Sequence, residues 1–166
     1  MANLTDLHLN LVKTDDLVLV RVISKPAPQT YRAFVEKIYR ARHGIKIDFL
    51  GKEIEFIGSC GSWGDVPLAV GERAIVFMSE IFEKLYEHSY HGHILLEEIN
   101  GELYGIEFIR KMWLNKSTPS VLRESARQDP KRPYCSAVRF DVLEGYLVDL
   151  IKKVEAKESK EKDNRY

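Results

Sequence analysis

Three histidines and a glutamate near the middle of the chain have the character of metal ligands. His88, His91 and His93 lie close together, and Glu97 follows them. Along a strand, His91, His93 and Glu97 would point to the same side, because side chains alternate. Imidazoles and a carboxylate suit zinc when further ligands complete the site. The same residues also fit a hydrogen-bonded histidine at the edge of the core with the others on the surface, and we expect no metal or other cofactor.

Nucleophilic catalysis would need a serine or cysteine beside a base and an orienting group. Cys60 precedes a glycine, but no strand–turn–helix pattern of the G-x-S-x-G type surrounds it. The chain also has no Gly-rich phosphate-binding motif. We therefore expect a protein that is not an enzyme, in which Cys60 is a structural or loop residue.

The Gly-rich connection over residues 59–67 contains a tryptophan. Trp63 either folds back over the core as a plug or stands out as an anchor for a partner. Asp65 either caps the turn or presents a charge beside Trp63. We predict that the partner-binding surface includes Cys60, Trp63 and Asp65.

Basic residues are concentrated around Asp129. Such a cluster either holds an acidic partner or phosphate, or pairs with carboxylates of its own chain such as Glu124, Asp129 or Asp141. We include Arg132 in the predicted partner-binding surface. The basic residues are Arg123, Arg127, Lys131, Arg132 and Arg139.

Composition limits the classes of partner. The 166 residues include 25 Lys plus Arg and 25 Asp plus Glu, so the formal net charge is zero. A neutral chain gains no long-range attraction to nucleic acid or anionic lipid, which disfavours both as partners. The sequence shows no secretory leader and no apolar run of about 20 residues, so we expect a cytoplasmic protein without a membrane partner. A leader replaced by Met-Ala would leave the same sequence.

Two apolar runs predict buried strands, at 17–23 and 74–78. Between them, residues 29–40 carry conflicting signals. Tyr31, Phe34, Val35 and Ile38 have helical spacing, whereas their aromatic and β-branched types favour a strand. The periodicity by itself indicates a helix.

Two hairpins are predicted from turn residues. Gly51-Lys52 would join the strands of an amphipathic hairpin over 45–57, and Asn100-Gly101 would join a second one and pair Glu97 with Tyr104 and Leu95 with Ile106. Residues 81–90 are expected to be irregular. Helices are predicted at 118–127 and 137–156, and the charged tail 157–166 is expected to be disordered. The whole forms one domain, with a β-rich body at about 16–115 and a helical segment at about 118–156.

The β-rich part resembles the netrin-like module, the fold of the tissue inhibitors of metalloproteases, in a short bacterial form. The resemblance covers about residues 16–80. It rests on the pattern Val35, Lys37, Ile38, Tyr39 and on the strand motif at 71–77. It implies an OB-type antiparallel barrel with residues 29–40 as a strand. The animal inhibitors use an N-terminal cysteine against the protease metal, and no cysteine precedes Cys60 here, so the resemblance implies only a barrel and a binding role.

The expected fold class is therefore mainly β, an OB-like or netrin-like barrel with a C-terminal helical segment. The expected function is a non-enzymatic protein-binding or inhibitor module, such as a bacterial immunity protein that neutralises a toxin or enzyme domain. A metal-binding protein or metal-dependent hydrolase that uses His91 and His93 is the alternative. A second alternative is an exported netrin-like domain whose leader has been removed.

Overall fold

A computed structural model of the chain describes residues 6–59, 67–89, 91–108 and 119–165. The described part contains nine strands, three α-helices and one short 3₁₀ turn at Ile47–Phe49. In chain order they are α1 (Asp6–Lys13), β1 (Asp16–Ala27), β2 (Thr30–Arg40), β3 (Glu53–Ile57), β4 (Arg73–Ile81), β5 (Lys84–Glu87), β6 (His93–Ile99), β7 (Glu102–Phe108), α2 (Ser120–Ser125), β8 (Ala126–Gln128), β9 (Cys135–Arg139) and α3 (Phe140–Asp163).

The first five strands close into a barrel. Their order is β1-β2-β3-β5-β4, and β4 pairs back onto β1 to complete the circle. The β3–β5 contact is parallel and the other contacts are antiparallel. A small five-stranded barrel of this kind is the OB-like architecture. The predicted fold class, mainly β with an OB-like barrel and a C-terminal helix, is confirmed.

The sheet continues beyond the barrel wall. Strand β4 also pairs with β6, and β7, β9 and β8 follow in that order. Helix α3 lies across the outer face of β1, β4 and β6 and contributes Leu143, Leu147, Ile151 and Val154 to a second core. Strands β1 and β4 are therefore covered on both faces, by the barrel interior and by this helix. Burial on both faces explains their uninterrupted apolar runs, which the sequence analysis recognised correctly.

Strand β2 occupies Thr30–Arg40, so the helical interpretation of the spacing in residues 29–40 is wrong. Tyr31, Ala33 and Val35 point into the barrel in strict alternation. Phe34 and Tyr39 lie on the outer face, where Tyr39 packs against the second core. Ile38 packs against the barrel core, after an irregularity in the pairing with β1. Apolar side chains on both faces of a strand imitated a helical period. Pairing with β1 and β3 then decided the outcome.

The predicted hairpin at 45–57 is also wrong. Only Glu53–Ile57 is a strand, and its antiparallel partner is β2, with Ile54 opposite Ala33. The residues before it form a 3₁₀ turn, and Gly51 has a φ of +78°. The second hairpin is confirmed in place and in register. Asn100 and Gly101 both have positive φ, as a type I′ turn requires, and Glu97 lies opposite Tyr104.

Other boundaries differ from the sequence predictions. The segment 81–90 was expected to be irregular, but its described part, residues 81–89, contains β5 and the end of β4. Helix α2 ends at Ser125, and the residues that follow it form β8. Strand β9 occupies Cys135–Arg139, so the long helix begins at Phe140 and continues to Asp163 through most of the tail that was expected to be disordered. Glu158 in that tail is held by Arg42, with 3.0 Å between Nη1 and Oε2.

Helix α1 was not predicted. It packs Leu7 and Leu11 into the second core beside α3. Its side-chain and backbone groups also bind the rest of the molecule, since Asn10 Nδ2 donates to the carbonyl of His91 at 3.0 Å. The guanidinium of Arg40 donates to the carbonyl of Leu11 at 2.7 Å. Within the described ranges, every helix is too short or too polar to cross a membrane.

Candidate functional site

Three of the predicted partner-binding residues, Cys60, Trp63 and Asp65, lie outside the described residues. The residue before them, Ser59, is fixed at two points. Its amide donates to Oε1 of Glu87 at 3.1 Å, and its hydroxyl donates to the carbonyl of Ser89 at 3.1 Å. The contact of this loop with a partner stays a prediction.

The fourth predicted residue, Arg132, is held inside its own chain. Its Nη1 atom lies 2.8 Å from Oε2 of Glu97 and 2.8 Å from Oδ2 of Asp129. The sequence analysis gave pairing with carboxylates of the same chain as one interpretation of the basic cluster, and Arg132 is paired in this way. Arg139 also pairs within the chain, with Asp141 at 3.2 Å. A partner would have to compete with two carboxylates for Arg132, so its role in binding stays a prediction.

The histidine cluster does not assemble around a common point. His93 on β6 pairs through Nδ1 with Oε2 of Glu87 on β5, whereas Glu97 faces Lys131 and Arg132. Burial alone would raise the pKa of Glu97, but the hydrogen bonds from Arg132 and Lys131 outweigh it and lower that pKa. In the part of the chain that the structure describes, no group of three His, Cys, Asp or Glu side chains is placed to hold a metal ion.

We predict that a chelator leaves the melting temperature of the protein unchanged. A metal bound only to the folded state would stabilise it, so its removal would lower the melting temperature. The measurement is a thermal melt of untagged protein with and without EDTA. A fall of several degrees that zinc reverses would contradict the prediction and favour the metal-dependent alternative with His88, His91, His93 and Glu97.

A concave feature of the described surface is a groove beside β3. It is a cavity of about 540 Å³ between the start of β3, the β2–β3 connection and the β4–β5 hairpin. The groove exists because β3 and β5 pair only at Phe56 and Ile57, so the barrel wall is open ahead of these residues. Phe49 from the connection and Leu85 from β5 provide apolar lining.

The β2–β3 connection is positioned by one buried carboxylate. Oδ1 of Asp16 accepts the amides of Arg42 and His43 at 2.8 and 3.2 Å, and Oδ2 accepts those of Gly44 and Ile45 at 3.0 and 3.2 Å. A carboxylate that gathers successive amides fixes a turn without a strand. This explains why the chain after β2 does not form the predicted hairpin.

Gly44 allows the connection to approach the β4–β5 hairpin closely. A Cβ atom at this position would lie 2.5 Å from Cδ2 of Leu85 and 2.8 Å from Cβ of Glu80. Both distances are below any normal contact, so a larger residue would push the wall of the groove outward. Asp16 and Gly44 together therefore set the width of the groove.

The β4–β5 turn on the rim of the groove carries an exposed aromatic residue in an unfavourable conformation. Its two central residues, Phe82 and Glu83, have φ values of +49° and +65°. Type I′ turns have this geometry and normally use Asn or Gly. Phe82 is 95% exposed, so its ring gains nothing from the core of the isolated chain. Backbone strain of this kind, typically about 1–3 kcal/mol, is concentrated at ligand-binding segments.

More exposed apolar side chains accompany Phe82. Ile81 precedes it in the turn, and Ile47 and Leu50 lie on the β2–β3 connection that forms the other wall of the groove. Ile47 is 79% exposed. Sequence analysis missed this surface, and the signal that could have indicated it is the Ile-Phe pair between Glu80 and Glu83 in a charged segment.

Comparisons with protein-family models, with curated proteins and with solved structures found no match to this chain. No relative therefore supplies an activity or a partner. The groove and its exposed apolar rim are the features from which a function is argued.

Proposed function

We propose that the protein is a non-enzymatic protein-binding module whose partner docks at the groove beside β3. The observation that carries the proposal is Phe82, a fully exposed aromatic side chain at the tip of a strained two-residue turn. Aromatic residues are the usual anchors of protein interfaces, because they bury a large area at little cost in side-chain entropy.

The surroundings of Phe82 support a protein partner. Ile47, Leu50 and Ile81 are further exposed apolar side chains on the segments that border the groove, and charged residues such as Glu80 and Lys84 line the cavity. Apolar residues together with polar ones are usual in an interface. A monomer that stayed alone would expose these side chains to water without compensation.

The charge of the groove argues against nucleic acid. Glu53, Glu55, Glu80 and Glu83 line it, against only two amines. A phosphate backbone is attracted by Lys and Arg and would be repelled here. We propose a protein partner such as a toxin or enzyme domain, with the chain acting in the cytoplasm as an immunity-type inhibitor. The loop that contains Trp63 is predicted to provide a further contact.

A pair of matched substitutions tests the proposal. Phe82→Asn removes the aromatic ring and places at a positive φ a residue that tolerates it, so the variant should fold at least as stably as the wild type. Tyr134→Asn is the control, since Tyr134 is 71% exposed in the connection between β8 and β9, at the far end of the sheet. Loss of a central aromatic anchor costs about 2 kcal/mol or more, which is about 30-fold in affinity.

The measurement is quantitative capture of a partner from an extract of the producing cells, followed by titration with the captured protein. We expect the wild type and Tyr134→Asn to bind equally and Phe82→Asn to bind at least about 30-fold more weakly. Equal binding by all three, with normal melting of each, would show that the groove is not the partner site.

A further inference from the structure

The carboxylate of Glu80 belongs to an interior-facing position of the barrel. Side chains alternate along β4, where Val76 and Met78 are part of the barrel core, so Glu80 points to the same side. Its side chain runs along the β2–β3 connection, since its Oε2 would lie 3.2 Å from a Cβ atom at Gly44. Glu80 is half-buried and lines the groove at this end of the barrel. A negative charge beside a core is costly unless it is paired.

Among the residues that the structure describes, none forms an ion pair or a side-chain hydrogen bond with the Glu80 carboxylate. Two lysines line the groove, but both are directed elsewhere. The ammonium of Lys46 donates to the carbonyl of His43 at 2.5 Å. Lys84 comes directly before Leu85, the residue opposite Glu80, so it points to the other face of the β4–β5 hairpin. The groove therefore presents a negative charge that a cation from outside the chain can pair with through charge-assisted hydrogen bonds.

Apolar groups lie next to the Glu80 carboxylate. Cδ2 of Leu85 would lie 2.5 Å from the same Cβ atom at Gly44, so a methyl group and the carboxylate share this part of the wall. Phe49 lines the groove from the β2–β3 connection. Arginine suits such a surface, because its methylene stem covers apolar groups and its planar guanidinium stacks on aromatic rings and binds carboxylates through two parallel hydrogen bonds. A cavity of about 540 Å³ is within the usual range for ligand sites and holds the whole side chain.

We propose that the groove binds an arginine side chain presented by the partner. Its guanidinium donates to the carboxylate of Glu80, and its methylene stem lies along Leu85 and Phe49. A second copy of this chain is a poor occupant, because a symmetric dimer through the groove would place the carboxylates of Glu80 and Glu83 on both sides, and like charges repel. This inference rests on the proposed function and specifies the group of the partner that enters the groove.

Nuclear magnetic resonance with a matched pair of peptides tests this inference. One probe is a blocked peptide with a Leu-Arg-Leu core between Gly-Ser flanks, and the other has citrulline in place of the arginine. Citrulline keeps the shape of the side chain and removes its charge. Each peptide is titrated into the labelled full chain up to about 1 mM, which detects weak binding. We expect saturable shifts at the amides of Gly44, Phe49 and Leu85 with the arginine peptide, and binding at least about fivefold weaker for the citrulline peptide.

Removal of the negative charge is the second arm. Glu80→Gln keeps the shape of the side chain and should bind the arginine peptide at least about fivefold more weakly, without a lower melting temperature. Glu98→Gln is the control, since it removes the same charge from an exposed position on β6 and should bind the peptide like the wild type.

The inference is overturned by the absence of saturable shifts at the groove, by equal binding of the two peptides, or by unchanged binding of the arginine peptide to Glu80→Gln. A dimer of the chain through the groove in sedimentation would also overturn it. Capture that depends on Phe82 without these peptide effects would leave the proposed function intact, whereas capture independent of Phe82 would remove both.

Discussion

Replacing Asp16 by alanine is expected to lower the free energy of unfolding by about 3–5 kcal/mol. The Asp16 side chain accepts four backbone amides, and those of Gly44 and Ile45 are buried. Each buried donor left without an acceptor costs about 1–3 kcal/mol. Because Asp16 itself is only 1% exposed, water cannot replace its carboxylate without reorganising the connection. Urea unfolding of both proteins gives the difference directly.

The matched control is Asp16→Asn, which keeps the shape of the side chain. It retains one acceptor oxygen for two of the amides but turns an NH₂ group toward the other two. We expect the free energy of unfolding of Asp16→Asn to lie between those of the wild type and Asp16→Ala. A loss below about 1 kcal/mol for the alanine variant would mean that the connection does not depend on this carboxylate.

Replacing His93 by alanine is expected to destabilise the protein by about 3–5 kcal/mol. The His93 and Glu87 side chains are 6% and 2% exposed and pair with each other on β6 and β5. Nδ1 of His93 and Oε2 of Glu87 share a buried hydrogen bond. Removal of one partner of such a buried pair leaves the other polar group without its partner, and the lost imidazole also leaves a cavity, which together are strongly unfavourable.

The second substitution in this test is Glu87→Gln, made in the His93→Ala background. Glutamine has no charge and still offers an oxygen to the amide of Ser59, which Glu87 accepts at 3.1 Å. The double variant should therefore be more stable than His93→Ala by at least about 1 kcal/mol. If the free-energy losses of His93→Ala and Glu87→Gln simply add in the double variant, the cost at His93 comes from lost packing. It does not then come from a Glu87 carboxylate left without its partner.

The sequence predicted the strands that are buried on both faces and the hairpin with the strongest turn. The apolar runs at 17–23 and 74–78 are continuous because β1 and β4 are buried on both faces. Asn100 and Gly101 both have the positive φ that a type I′ turn requires. Strand β2 was obscured because its outer face is also apolar. Most of strand β9 was predicted as part of the long helix. The reason is that the buried residues of Cys135–Arg139 come directly before the apolar positions of α3, without a break in the sequence pattern.

The groove could not be predicted from the sequence. Its lining comes from four separate parts of the chain, at Thr30 and within 44–49, 53–57 and 80–85. The conformation of Phe82 is set by the two-residue length of the β4–β5 turn, which appears only once Ile81 is paired with Lys84. The role of Asp16 could not be predicted either, because the amides that it accepts belong to residues 42–45, which are distant in sequence.

Photo-crosslinking from position 82 tests the docking of a partner at the groove most directly. Benzoylphenylalanine placed at Phe82 retains an aromatic side chain there, and the same residue at the exposed Tyr134 serves as the reference. Irradiation in the producing cells should join a protein to position 82 and not to position 134. Crosslinking at position 134 alone, or equally at both positions, would contradict the assignment of the groove as the partner site.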